Sequence, residues 1–505
     1  MYNFKTVITL ISFFTILGCR ESQPSEVVEQ VDLVEIEKLN TWLDKVFERN
    51  LMDSPIWLSQ LGRKDRQGEF DDLSEAHALK NLELAKNDLL MLLKFDETKL
   101  DEQSYLSYIL FKQKLEMKID YDKYRHYNYP VKQIGGQQSK LPSFMINKHL
   151  IEEKQDALDY IDRLNAFTKR FDELIESLQI REDKDIIPPS FVFPQVINDC
   201  ENIVGNTTNL DENLFVKDFI SKLGGIKLKV EEKDQMIVAA KLAVTNSVNP
   251  SYQKLIEYFN NLEKKSSTDD GVWKFNDGEN FYKYRLKIIT TTSLTGTEIF
   301  DTGIDEVERI HTEMQAIMKT VGFDGTLQEF FTFMKEGSQF YFPDSDQGRV
   351  DLLQGYQSIV DTMEAHLDEV FFTKPKGKMQ VLAVEKWREK SAGKAFYQTG
   401  SPDGSQKGTF FANLYKMVDM PKYEMEALAY HEGIPGHHMQ FTIAQELTGL
   451  PEFRKHNGYT ANGEGWGLYC EFLPKEMGFY TDPYSDFGRL AMELWRACRL
   501  VVDVG

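Results

Sequence analysis

Apolar residues recur every three or four positions along most of this chain, and no other feature restricts its fold as strongly. The run LVEIEKLNTWLDKVFER at residues 33–49 shows the pattern, which puts an apolar stripe on one face of a helix. Similar stripes recur at about residues 73–95, 103–118, 151–179, 252–265, 303–319 and 350–371, each bounded by polar, Gly or Pro residues. Cap chemistry accompanies them: Asn249 before Pro250 predicts a helix start, and Asp301-Thr302 precede the GIDEVERI stripe. Strand signals are few and close together. MQVLAVE at 379–385, and GTFFANL at 408–414 after the turn SPDGSQK, predict a small sheet. The expected fold class is mainly α, a large helical body whose 505 residues, 41% of them hydrophobic, suffice for a sizeable core.

Just beyond the predicted sheet, residues 431–438 read HEGIPGHH, three of the chain's nine histidines in one short window with Glu432 beside the first. The usual zinc-hydrolase helix motif is H-E-x-x-H, with two histidines on one helical face. Here the fourth residue after His431 is Pro435, which cannot bind a metal. On a regular helix His431 and His437 would lie about 120° apart and about 9 Å along the axis, and His431 and His438 about 10.5 Å apart. Two imidazoles sharing one zinc need their nitrogens within roughly 3.5 Å. Neither pair fits a straight helix. Gly433 and Gly436 permit unusual dihedrals and Pro435 disrupts the preceding turn, so the helix is expected to break at 433–436 and fold His437 or His438 back towards His431.

A zinc site also needs a third protein ligand and an open position. Glu464, in NGEGWGLYCEF, is the candidate, with Gly463, Gly465 and Gly467 allowing its helix to approach closely. Glu471 shares the face of Glu464 and is expected to orient a ligand histidine. Glu432 is expected to act as general base, taking a proton from water and returning it to the leaving amine.

Composition and the N-terminus bound the setting. The net charge of −21 argues against nucleic acid as a partner. Residues 1–19, MYNFKTVITLISFFTILGC, read as a signal peptide whose apolar stretch is too short to span a bilayer. Its Ile16-Leu17-Gly18-Cys19 end resembles a bacterial lipoprotein box, which implies lipidation at Cys19. Residues 20–31 read as a polar tether, and 32–505 as one helical domain. The protein is thus expected to be exported and lipid-anchored to a bacterial membrane, facing the periplasm or the cell exterior. Cys200, Cys470 and Cys498 are an odd set and no disulfide scaffold; Cys470 and Cys498 are expected to be buried thiols.

AYHEGIPGHHMQ, GEGWGLYCE and LWRACRLVVDVG, with the earlier DGSQKGTFFANL and TSLTGTEIFDTGIDEVERI, together resemble a bacterial family known as domain of unknown function 885, over residues 35–505. That family in turn looks like the helical, zincin-like metallopeptidases of the thimet-oligopeptidase and angiotensin-converting-enzyme type. The resemblance implies one Zn2+ per chain held by His431, His437 (or His438) and Glu464, with Glu432 as base. It implies that strand 408–414, through Gly408, Thr409 and Phe410, presents backbone groups to an extended peptide. The side chains of Phe410, Phe411 and Trp466 are read as core. Arg489, Arg496 and Arg499 lie near one face of the last helix. Arg496 and Tyr469 are candidates for stabilising an oxyanion, and Arg499 for binding a substrate carboxylate. The resemblance also implies further helices beyond Gly505, so the chain is expected to be truncated at its C-terminus.

The expected function is a membrane-tethered, zinc-dependent peptidase acting on short peptides outside the cytoplasm. The alternatives are a peptide-binding lipoprotein without catalysis, a zinc amide hydrolase acting on acylated amino acids or cell-wall peptides, and a structural lipoprotein whose histidines bind no metal.

Overall fold

The computed structural model describes residues 31–205, 209–456 and 458–505, so the leader, Cys19 and the tether up to residue 30 lie outside the described residues. The fold is mainly α with one small sheet. The first stripe forms the helix Leu33–Met52, started by Asp32, whose carboxylate accepts from the amides of Val34 and Glu35. Its buried residues, Leu39, Leu43, Val46, Phe47 and Leu51, keep the spacing read from the sequence. They join Leu58, Leu92 and Phe111 in one core, which Phe453 enters from the far end of the chain. A second core gathers around the long helix Lys154–Glu182, where Tyr160, Phe167 and Phe171 meet Phe193, Phe215, Tyr252 and Phe259.

Two capping expectations are corrected here. The chain does not start a helix at Asn249-Pro250: a π turn over Val244–Val248 joins the helix Val230–Ala243 to Asn249–Glu263 without a break. The widened turn, in which the Asn249 amide reaches back to the Val244 carbonyl, makes room for the proline ring that a regular turn would exclude. Likewise Asp301 and Thr302 lie inside a helix, Gly296–Thr320, which begins at a capping box made by Thr295 and Glu298.

The sheet has the order β1 (Met379–Ala383), β3 (Gly408–Ala412), β2 (Ala395–Gln398). β1 runs parallel to β3, with Met379 opposite Gly408, and β2 runs antiparallel, with Tyr397 opposite Phe410. β3 is buried throughout, and Phe410 packs edge-on against Tyr356 of the helix Asp346–His366 at 4.9 Å. Beneath the sheet, Leu352, Tyr356 and Val360 meet Leu428, Ala429 and Tyr430 of the helix Met425–Glu432. The last helix, Pro483–Val504, lies along Gly296–Thr320, where Gly303 admits Leu500 and Val501. Cys470 is buried as expected, but Cys498 is exposed, because its position on this helix turns away from that packed face.

Candidate metal centre

The helix Met425–Glu432 stops at Gly433, whose amide still bonds to the Ala429 carbonyl, and a new helix starts at His437. A β-carbon at Gly436 would lie 1.9 Å from the His431 carbonyl oxygen, so only glycine lets the chain double back this tightly. The break brings the rings of His431 and His437 to 4.6 Å between centroids. His438 points elsewhere. Its Nδ1 lies 2.9 Å from the Tyr397 hydroxyl and its Nε2 3.1 Å from the Gly377 carbonyl, so it ties the sheet to the helix and does not join His431.

Glu464 comes from the helix Thr460–Glu476. Its carboxylate oxygens lie 3.6 Å from His431 Nε2 and 3.8 Å from His437 Nε2. One ligand atom from each of the three residues falls within 4.8 Å of the others. Gly467, one turn on, carries the close approach: a β-carbon there would sit 2.5 Å from His431 Cε1. Trp466 fastens the helix to the break by donating its indole N–H to the Pro435 carbonyl at 2.9 Å.

Behind His431 the buried Glu471 accepts from Nδ1 at 2.7 Å. That bond keeps a proton on Nδ1 and turns Nε2 towards Glu464, so that Nε2 is the atom left to bind a metal once its own proton is lost. Arg496, from the last helix, grips Glu471 with Nη2 at 2.6 Å and Nη1 at 3.1 Å. Its guanidinium is therefore spent on positioning Glu471, not open to an oxyanion. Burial works against a charge on His431, yet Glu464 and Glu471 together raise its pKa to about 9. His437 is pushed down to about 4 by burial and by the neighbouring His431 charge. The neighbouring His431 holds Glu464 below the usual carboxylate range. Burial lifts Glu432 to about 7, against the opposing pull of His431.

The donor set fits a borderline divalent ion such as zinc: two imidazoles, one carboxylate and an oriented Nδ1–H. The carboxylate side is open, with the Glu464 side chain 62% exposed. The Nδ1 atom of His437 is buried without a hydrogen-bond partner among the described residues.

Other predicted residues lie elsewhere. Gly408, Thr409 and Phe410 cannot offer a strand edge, because β3 is the middle strand. The Gly408 amide bonds to Lys378 and the Ala412 carbonyl to Val384 on the β1 side, while Asn413 bonds to Lys394 on the other. Tyr469 is exposed and packs on Trp466 without a hydrogen bond to the site. Arg499 is exposed, its guanidinium over Trp495 at 5.0 Å, and Arg489 is buried against Asp486 and Glu493. Trp466 is half-buried rather than core, while Phe410 and Phe411 are core. Sequence reasoning missed Tyr397 and Phe441. The Phe441 ring stacks on His437 at 5.3 Å, a contact foreshadowed only by the helical spacing of residues 437 and 441.

Residues 55–505 match the family described as "Bacterial protein of unknown function (DUF885)". The chain belongs to this family. No curated protein sequence matches this DUF885 chain. Among solved structures, it is similar to one from Colwellia psychrerythraea, described as a "putative lipoprotein". That likeness has a TM-score of 0.85 at 25% identity and covers 93% of this chain and 83% of the other. A structure from Shewanella oneidensis, given the same description and of unknown function, shares the fold with a TM-score of 0.62 at 14% identity, covering 93% and 82%. No helix among the described residues of the DUF885 chain is long and apolar enough to cross a membrane.

Proposed function

We propose that the protein is a zinc-dependent peptidase that hydrolyses short peptides, with Glu432 as the general base. The observation that carries this reading is the convergence of His431, His437 and Glu464 across a broken helix, with the buried Glu432 next in sequence to a ligand. A structural zinc site would close with a fourth protein ligand, whereas among the described residues this one ends at three and opens on the Glu464 side. When bound, a zinc ion held by these three side chains supplies Lewis-acid polarisation of a carbonyl and lowers the pKa of water.

The remaining chemistry belongs to the chain. Glu432, lifted to about 7 by burial, is poised to take a proton from water on its carboxylate near neutral pH and return it to the departing amine nitrogen. Glu471, clamped by Arg496, keeps the His431 proton on Nδ1. The substrate class is supported by the sheet. Asn413 bonds to Lys394, so the alternation of an antiparallel pair turns Phe396 and Gln398 towards β3 and leaves the backbone groups of Ala395 and Tyr397 facing outward. An extended peptide can add to that free edge of β2. The lipoprotein descriptions of the two structural neighbours, together with the Ile16–Cys19 box, support export and lipid anchoring at Cys19 with the body facing the periplasm or the cell exterior.

Metal analysis of the purified protein beside His431→Ala and Glu464→Ala tests the centre. About one zinc per chain is expected in the wild type and far less in either variant. Glu432→Gln should keep the metal and lose peptide cleavage by about a hundredfold or more. Wild-type protein that takes up no zinc when it is supplied would end the peptidase reading. Full cleavage in Glu432→Gln would end the role of Glu432.

A further inference from the structure

Beside the free edge of β2 lie two cavities of about 420 and 440 Å³ that meet at Gln60, Lys148, Tyr397 and Gln398, which line both. They form one groove. Its second part is lined by Phe441, the ring that stacks on His437, and Tyr397 stacks in turn on Phe441 at 6.3 Å. The groove therefore comes within one aromatic side chain of the candidate metal centre.

Its charge is unlike that of the molecule. In a chain of net charge −21, the groove is lined by Lys140, Lys148, Arg170, Arg388 and Lys455 against a single carboxylate, Asp71. Both oxygens of Asp71 already accept local bonds, from the Ile56 amide and the Ser54 hydroxyl. Arg388 is paired with Glu385 and Lys455 with Glu452. Lys148 and Arg170 differ. Each is 5% exposed, and neither has a carboxylate within ion-pairing distance among the described residues. Lys148 donates to the Thr399 carbonyl at 2.7 Å, just past the end of β2, and Arg170 donates to the Asp71 carbonyl and to Gln137 Oε1. Lys140, exposed at the rim, has no ion pair either. Lys148 is buried with no matching charge, and Arg170 feels Asp71, Glu173 and Asp72 only from beyond ion-pair distance. Burying these cations is therefore costly, and the cost is recovered when an anion arrives to pair with them. Burial alone brings the Lys148 ammonium down to about 8, as expected of a cation seated without its counter-ion.

We infer that this groove is a subsite for a carboxylate of the substrate, with Lys148, Arg170 and Lys140 as the residues that recognise it. The choice of a peptide as the carrier rests on the peptidase reading, but the binding of a carboxylate does not. A peptide lying along β2 with its reacting bond near Glu432 would extend past Tyr397 and bring an acidic side chain or its own C-terminal carboxylate to these cations. The protein is then a peptidase selective for anionic peptides.

Calorimetric binding of four acetylated alanine-based peptides of equal length tests this: a neutral amide, the same peptide with a free C-terminal carboxylate, an amide with one Asp, and its Asn counterpart. Titrating both the wild-type protein and Glu432→Gln makes the readout independent of turnover. At least one of the two carboxylate peptides should bind about tenfold tighter than its neutral partner, and which one does so distinguishes a terminal from a side-chain carboxylate. The gap should collapse in Lys148→Met. It should shrink about threefold in Lys140→Gln, whose exposed position keeps the fold intact. Equal binding of acidic and neutral peptides, or no binding of any, overturns the inference. A gap that survives both variants also overturns it, because the carboxylate would then be held at the metal centre. Charge-selective binding without any cleavage by the wild type would sink the peptidase reading and leave this subsite standing, and cleavage without charge preference would do the reverse.

Discussion

Two stretches of this chain set a proline just after a helical run, and the helices respond in opposite ways. At VTNSVNP the chain opens one π turn, the Asn249 amide bonds back to Val244, and the helix carries on through Pro250. Ser247 secures that turn from inside the core by bonding to the amide of Thr168 and the carbonyl of Asn165. At HEGIPGHH the helix stops, and a second begins against the end of the first. The difference lies in the neighbours of the proline. Val248 and Asn249 carry β-carbons that rule out so tight a reversal, and the helix continues through a widened turn. Gly433 and Gly436 carry none, and each occupies a place where a β-carbon would strike a carbonyl. A proline alone bends a helix; a proline between glycines folds it back and can bring together residues that a helix keeps apart.

The comparison can be broken most severely at Gly436. Gly436→Ala puts a β-carbon 1.9 Å from one backbone oxygen and 2.3 Å from another, neither of which can swing aside. A loss of about 3 kcal/mol or more in denaturant unfolding is expected, together with loss of metal uptake. An alanine variant as stable as the wild type would show that the doubling-back is not confined to glycine. A smaller effect is expected at Glu471→Gln, which keeps the shape but weakens the hold on His431 Nδ1. Zinc affinity, measured by chelator competition, should fall by about 10- to 100-fold while the fold persists.

Next comes pH. His431, at about 9 in the metal-free protein, must give up a proton before its Nε2 can bind a metal. Apparent zinc affinity should therefore rise by close to tenfold per pH unit between about pH 6.5 and 8. A flat profile would mean either that His431 is not a ligand or that Glu464 and Glu471 do not hold its second proton. The same shift has a stability sign. The folded value lies above the ordinary 6.5, so the stabilisation of the metal-free protein by this pair is fully present below about 6.5 and is lost as pH rises through about 9. The smallest effect is expected at the other junction. Pro250→Ala should change stability by less than about 1 kcal/mol, because the π turn already accommodates the ring. A large change in thermal unfolding there would show that the proline itself holds the turn open.

Much of the site was legible because its constraint is local. The spacing of His431 and His437, with glycines and a proline between them, leaves a helix no regular way to pair the histidines, and Glu464, Gly467 and Glu471 keep one helical face. The choice between His437 and His438 was not legible, since it depends on Tyr397 and the Gly377 carbonyl, which arrive from the sheet. The role given to Gly408, Thr409 and Phe410 failed for a related reason. GTFFA is buried at every position, Thr409 included, as befits a strand covered on all sides, whereas a peptide needs a strand with one free edge. That strand, AFYQ at β2, is too short to show a period. The groove beside it was beyond sequence reasoning altogether, because Lys148, Arg170 and Tyr397 come from distant stretches of chain with no shared motif.

The order of these parts along the chain governs how the protein is assembled during synthesis. Lys140, Lys148 and Arg170 emerge from the ribosome long before His431, and Arg496, which holds Glu471 in place, follows the metal-binding side chains on the helix Pro483–Val504. A nascent chain thus carries these three cations while none of the metal-binding side chains has been made. The charged residues are inherited early, and the chemistry beside them can be switched on only once Arg496 has been made.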